Sequence, residues 1–321
     1  MYLGIEIGGT KLQLGVGQPA STSLATLERF DIVAADGAQG ILQQIKQQAP
    51  ALIEQFKVET IGIGFGGPLD ATQGIVTKSH QIQGWDNFPL GQWCQQQLAR
   101  PTLLGNDCDV ATLAEAALGA GKDCRSVFYV TVGTGVGGGF VVDGKSPAEG
   151  RPAAAEIGHL RPGPLAESSR ATVESIASGW GIVAAARKQL LPGATGEPAQ
   201  IEANEEDRND LLSRCQAELE NLTGEQIATA AAEGNLLAAN ILSQAIRVLG
   251  WGIAQVITLQ APEIVVVGGG VSLIGEERFF QPLREFVDQY VFPPLRGSYQ
   301  IAPAALGELA VVHGAIIRAA Q

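Results

Sequence analysis

Asp107, preceded by Asn106, stands at the end of an apolar, strand-like stretch, Pro101–Leu104. A carboxylate at such a place can project from the carboxyl end of a sheet into a cleft and take a proton from an alcohol. The same pair also suits the turn or N-cap of a helix beginning near Ala111, so residue types alone leave both readings open. Glycine-rich bends supply the second ingredient. Gly8-Gly9-Thr10 joins two strand-like runs, Gly133–Gly139 joins two more, and Gly268-Gly269-Gly270 ends a third. Bends of this kind expose backbone N–H groups unobstructed by side chains, which makes a nest for phosphate oxygens. One such bend is only a tight hairpin; three of them beside a candidate base point to phosphate chemistry.

Two familiar patterns fail on context. Gly133-x-Gly135-x-x-Gly138 fits a dinucleotide fingerprint, which needs a helix after it, but Phe140-Val141-Val142 continues as strand. Gly139 to Ser146 fits a P-loop expression, yet a strand fills its middle. Pro147 also biases Ser146 away from helical angles.

The elements that must position these residues follow from periodicity. Leu3–Ile7 and Lys11–Val16 read as a hairpin, Gly40–Phe56 as an amphipathic helix, and Ile61–Phe65 as a buried strand that ends in Gly66-Gly67-Pro68. Helices are expected at Leu90–Ala99 and Ala111–Gly119. Val127–Val132 and Phe140–Val142 repeat the strand, glycine turn, strand grammar of residues 3–16, which suggests an internal duplication. Residues 150–180 read as loop-rich and Glu202–Asp210 as a solvated connection or helix start. Leu236–Leu259 reads as a long helix, Glu263–Val267 as a strand, and Leu309–Ala320 as a final helix that packs back on the first domain.

A length of 321 residues suits two domains, and 45% hydrophobic with 17% charged residues is globular composition. The net charge of −12, with no basic stripe, argues against nucleic-acid or anionic-membrane partners. Cys94, Cys108, Cys124 and Cys215 form no CxxC pair, so reduced thiols in a cytoplasmic protein are expected. No unbroken apolar run approaches eighteen residues, and strand-like sequence begins at Met1 without a basic leader. Neither a membrane span nor a secretory signal is therefore expected.

Taken in order, Glu6-Ile-Gly-Gly-Thr-Lys11, Gly66-Gly67-Pro68-Leu69-Asp70, Gly84-Trp85, Asn106-Asp107 with Ala114-Glu115, Thr131 to Gly139, Glu156-Ile-Gly-His159 and Pro262 to Ser272 resemble segments of the ROK family over essentially the whole chain. The resemblance implies an α/β fold of the two-domain actin-like ATPase (ribonuclease H-like) type with an interdomain cleft. The expected domains are 1–118 with a C-terminal helix at about 309–321, and 119–308. It implies an ATP- and Mg²⁺-dependent sugar kinase with Asp107 as general base. Gly66, Gly67, Asn106, Asp107, Glu156, His159 and Glu174 would contact the sugar. Gly8, Gly9, Thr10, Lys11, Gly133, Thr134, Gly135, Gly268, Gly269 and Gly270 would contact the nucleotide, with Lys11 alternatively a plain surface charge. Glu6 stands where the family has an aspartate that helps hold the metal, one methylene longer.

Family members commonly carry a zinc motif after the histidine. Here the three cysteine places hold Leu165, Glu167 and Thr172, so no zinc is expected. The resemblance leads to a hexose acceptor: glucose by default, with fructose, mannose or an N-acetylated hexosamine open. A catalytically silent sugar or nucleotide sensor of the same fold is the rival reading, and polyphosphate is an alternative donor. A homodimer is in keeping with the family.

Overall fold

The structure, a computed structural model, describes residues 1–321 except 80–81, 148–153, 164–167, 169 and 192–203. The first half builds a sheet from β1 (Tyr2–Ile7), β2 (Lys11–Gly17), β3 (Leu24–Asp31), β4 (Thr60–Phe65) and, after a short ribbon of β5 (Leu69–Asp70) and β6 (Ile75–Val76), β7 (Thr102–Asn106). Its order is β3-β2-β1-β4-β7, with β1–β2 and β2–β3 antiparallel and β1–β4 and β4–β7 parallel. Helices α1 (Gly37–Phe56) and α2 (Leu90–Leu98) share its main core.

Alternation along the strands decides what each face can carry. Leu3, Ile5, Ile7, Leu12, Leu14, Ile61 and Ile63 are buried in one core with Ile41, Leu42 and Ile45 of α1. Each such side chain contributes about 1.5–3 kcal/mol on burial. The intervening positions on the other face include Gly4, Gly62 and Gly64. A Cβ at Gly62 would lie 1.8 Å from the Ala315 carbonyl, so glycine is what lets the last helix, α10 (Ala310–Ala319), lie directly on the sheet. Helix α3 (Asp107–Ala117) meets α10 equally closely, at Gly314.

The second sheet contains β8 (Ser126–Val132), β9 (Val136–Val142), β10 (Ile264–Gly268) and β11 (Gln300–Pro303), in the order β11-β10-β8-β9. The β8–β9 pair is antiparallel, and β8–β10 and β10–β11 are parallel. Read from the hairpin outward, β9-β8-β10-β11 repeats the arrangement β2-β1-β4-β7, the topological counterpart of the repeated grammar in the sequence. Helices α4 (Val173–Ala177), α5 (Gly179–Leu190), α6 (Glu205–Arg214), α7 (Gly224–Ala232), α8 (Leu236–Gln260) and α9 (Gln281–Tyr290) complete this half. Residues of α4, α8 and α9 share a core with Phe128, Val130, Val265 and Val267, while α3 packs on β8 and β9 from the opposite side.

Two readings need correction, and two more are sharpened. The glycine-rich stretch is a turn only over 133–135, and β9 already begins at Val136. Its glycines sit in strand because neighbours fill the Cβ positions: Cys108 Sγ at Gly137, the Ala155 carbonyl at Gly138 and Thr112 Oγ1 at Gly139. Helix α3 starts at Asp107 rather than Ala111, because Asn106 caps it. Residues 205–210 open helix α6, the helix start that is one of the two readings, with Asp207 buried in it. The long helix expected at Leu236–Leu259 is α8, which by length and composition alone is apolar enough to cross a membrane. Polar residues interrupt its apolar run, and 56% of its apolar window is buried inside the fold.

Candidate functional site

Asn106 ends β7 and its extended backbone turns the chain into α3. Its Oδ1 accepts from the N–H of Cys108 at 2.9 Å and of Asp109 at 3.4 Å, so Asn106 is the cap. Its Nδ2 donates to the Gly67 carbonyl at 3.2 Å, tying the Gly66-Gly67 bend to the helix start. Capping falls to Asn106 and places Asp107 in the first turn of the helix. Asp107 Oδ1 accepts from the Cys108 N–H at 2.9 Å. Oδ2 lies 3.4 Å from where a Cβ on Gly66 would stand, and the Ile7 carbonyl and the Gly8 Cα border the same spot at 3.4 and 3.7 Å. Gly66 N–H donates to the Ile7 carbonyl at 2.9 Å. The carboxylate, the Gly66-Gly67 bend and the root of the first glycine turn therefore converge. Burial raises the Asp107 pKa above the ordinary aspartate range, and hydrogen bonds from Cys108 oppose the rise.

The first turn is closed by Gly8 N–H donating to the Lys11 carbonyl at 3.0 Å. Among the described residues the N–H groups of Gly9 and Thr10 donate to no backbone carbonyl, so they are the free donors of this turn. Lys11 is not a plain surface charge: its Nζ pairs with Glu6 Oε1 at 3.4 Å, and Gln13 Nε2 donates to Glu6 Oε2 at 2.6 Å. Burial raises the Glu6 pKa, Lys11 and Gln13 lower it, and Asp107 adds a smaller upward push.

The second turn is built differently. Gly133 N–H donates to the Gly135 carbonyl at 2.9 Å, and the N–H groups of Thr134 and Gly135 donate to no backbone carbonyl among the described residues. Gly270 N lies 3.9 Å from a Cβ built on Gly133, so the third glycine run adjoins this turn. Gly269 has φ +90°, and a Cβ there would strike the Val132 backbone at 2.5 Å; glycine is required on both counts. Gly268 ends β10 beside the Tyr129 hydroxyl.

Glu156 precedes and His159 ends a short helical turn, 157–159, pressed onto β9: a Cβ on Gly158 would lie 2.0 Å from the Val136 carbonyl. Glu156 is half-buried and its pKa is raised, by burial first and then by Asp107 and Glu174, with His159 opposing. His159 is exposed. Glu174 lies in α4, and its Oε2 accepts from the Val136 N–H at 2.9 Å, against the second glycine turn. Thr172, at one of the expected cysteine places, is the N-cap of α4. It forms a reciprocal box with Ser175, at 3.2 Å from Ser175 N–H to Thr172 Oγ1 and 2.9 Å from Thr172 N–H to Ser175 Oγ. Leu165 and Glu167 lie outside the described residues.

Sequence reading passed over Gln13 and Asp109. A buried glutamine inside an otherwise apolar strand was the available signal for the first. Asp109, on the first turn of α3, has its pKa raised to about 6 by burial, then by Asp107 and Glu156, with Arg318 opposing. Three carboxylates thus crowd one wall.

Among the described residues no cluster of three or more His, Cys, Asp or Glu could hold a metal by itself. A Mg²⁺ carried on phosphates fits the chemistry of what is present: Glu6 and Asp107, near enough to feel each other's charge, are carboxylates suited to a hard cation. With Lys11 and Gln13 already on its oxygens, Glu6 would act on the ion through water.

The model of the ROK family matches residues 2–321. A ROK glucokinase from Streptomyces griseus, solved with glucose and AMPPNP, superposes with a TM-score of 0.81 at 30% identity, covering 100% of this chain and 99% of that one. A glucokinase from Thermotoga maritima is 28% identical, over 98% of this chain and 95% of its own length. An N-acetylmannosamine kinase from Salmonella typhi is 29% identical, over 89% and 88%. The fold is the two-domain actin-like ATPase fold.

Proposed function

The chain belongs to the ROK family and is a sugar kinase, and from that premise we propose that it phosphorylates a hexose from ATP with Asp107 as general base. The first lobe in this reading is 1–118 with the helix at about 309–321, the second is 119–308, and the two substrates meet in the crevice between them. The observation that carries it is the convergence at Gly66, where Oδ2 of Asp107 and the root of the first glycine turn border one and the same Cβ position. The helix bearing Asp107 also packs on β9 at Gly137, just beyond the second turn.

Phosphoryl transfer is chiefly positioning and charge stabilisation. The N–H groups of Gly9, Thr10, Thr134 and Gly135 would hold phosphate oxygens, and Gly268–Gly270 would border the nucleoside. Mg²⁺ would neutralise charge on the phosphates. Asp107 takes the proton from the acceptor hydroxyl as its oxygen bonds to the γ-phosphorus and the bond to the β–γ bridging oxygen breaks. Burial raises the proton affinity of Asp107, which suits that transfer. Asn106, the Gly66-Gly67 bend, Glu156, His159 and Glu174 would orient the sugar, since carboxylates and imidazole each pair with hydroxyls. Glucose is the acceptor we favour, from the glucokinases among the relatives, in the cytoplasm and with Mg·ATP.

A coupled assay of ADP release over a panel of hexoses tests this. The wild type should release ADP only with an accepted sugar, and Asp107→Asn should cut kcat by about 10²–10⁴ while calorimetry still shows sugar binding. Sugar binding without ADP release from the wild type would instead make the chain a sensor. Release with polyphosphate but not ATP would change the donor.

A further inference from the structure

Glu174 does more than its expected sugar contact requires. Its carboxylate is drawn against the second glycine turn: Oε2 holds the Val136 N–H at 2.9 Å, and a Cβ on Gly135 would sit only 2.6 Å from that oxygen. The backbone carrying it is lashed at both ends. Val173 N–H donates to the Leu160 carbonyl at 2.8 Å, one residue beyond His159, and Gly179 N–H donates to the Gly133 carbonyl at 2.8 Å, inside the turn. The Thr172–Ser175 box fixes the helix start between these ties. Among the described residues no donor meets Glu174 Oε1. One carboxylate therefore faces the phosphate turn with one oxygen and leaves the other for a hydroxyl on the acceptor side, where Glu156 is near enough to feel its charge.

We infer that Glu174 is a gate that couples the two substrates: with no sugar bound, its negative charge and its hold on the Val136 N–H weaken phosphate binding at the turn, and a sugar hydroxyl relieves both. The inference rests on the sugar-kinase reading for its acceptor. Two physical effects produce it. A carboxylate and a phosphate repel at close range, and one N–H cannot serve two acceptors well. A hydroxyl donating to the carboxylate disperses its charge and draws it from the turn. Sugar thereby tightens nucleotide binding, and nucleotide tightens sugar binding by the same factor. ATP bound without an acceptor is then disfavoured, which limits hydrolysis by water in a sugar-free site.

The test is calorimetric titration of Mg·AMPPNP into wild type, Glu174→Gln and Glu174→Ala, with and without glucose, on variants whose melting confirms folding. Gln keeps an acceptor for the Val136 N–H and removes the charge; Ala removes both. Without sugar, one or both variants should bind AMPPNP about fivefold tighter than wild type. Any tightening by glucose seen in the wild type should shrink. Sugar-free affinity in both variants equal to or weaker than wild type overturns the gate. The sugar-free arm needs no knowledge of the acceptor, so its failure is separate from failure of the ADP-release assay.

Discussion

The turn at 8–10 closes by Gly8 donating to Lys11, and the turn at 133–135 by Gly133 donating to Gly135; beyond that closure the two hairpins part company. The first carries its own charges. Glu6, Lys11 and Gln13 lie within one strand pair, and Glu6 stands opposite Gln13 in register. The second hairpin has no ionisable side chain in its turn and borrows one, Glu174, from a segment 38 residues onward. A self-contained turn responds to its own residues. A borrowed one can be set by whatever else the lender touches, here the segment that begins with Glu156 and His159.

Gly158→Ala strikes the second hairpin hardest. A Cβ 2.0 Å from the Val136 carbonyl must push 157–159 off β9, at about 3 kcal/mol by denaturant unfolding, with a raised acceptor KM. Asp109→Asn acts on the wall between the hairpins. Its folded pKa is about 6 against an ordinary 3.8, so ionised Asp109 penalises the fold as pH rises through that window. The variant should gain about 2 kcal/mol at pH 7.5, a gain that shrinks between pH 6 and 4 in melts across pH. Lys11→Met breaks the first hairpin's internal pair. It should cost about 1–2 kcal/mol near neutrality, between a surface and a buried pair, and less in acid where Glu6 is protonated in both forms. Glu174→Gln should change sugar-free AMPPNP affinity by the same factor with or without Lys11→Met, which calorimetry of the double variant would show as additivity. Smallest is Thr172→Ala, which removes the α4 cap for about 1 kcal/mol, with Thr172→Ser restoring it.

What the sequence disclosed follows the same division. The first hairpin, the strand leading to Asn106-Asp107, the long helix at 236–260 and the last helix are local patterns, and the structure has them within a few residues. Strands β3 and β11 went unread: β3 alternates exposed and half-buried positions without a strong apolar face, and β11 is only 4 residues long. The early start of α3 was hidden because Asn106 serves β7 and the cap at once. The glycines of 137–139 read as turn residues because nothing local reports that α3 and residue 155 fill their Cβ space. Glu174 on Val136 and Asp109 beside Glu156 are tertiary contacts with no local signature.

A structure with hexose and a non-hydrolysable ATP analogue together in the crevice bears most directly on all of this. The account predicts one sugar hydroxyl about 2.6–3.2 Å from Asp107 Oδ2, with the γ-phosphate on the free N–H groups of both turns. A hexose whose every hydroxyl lies well beyond hydrogen-bond reach of Asp107, even through one water, would contradict it.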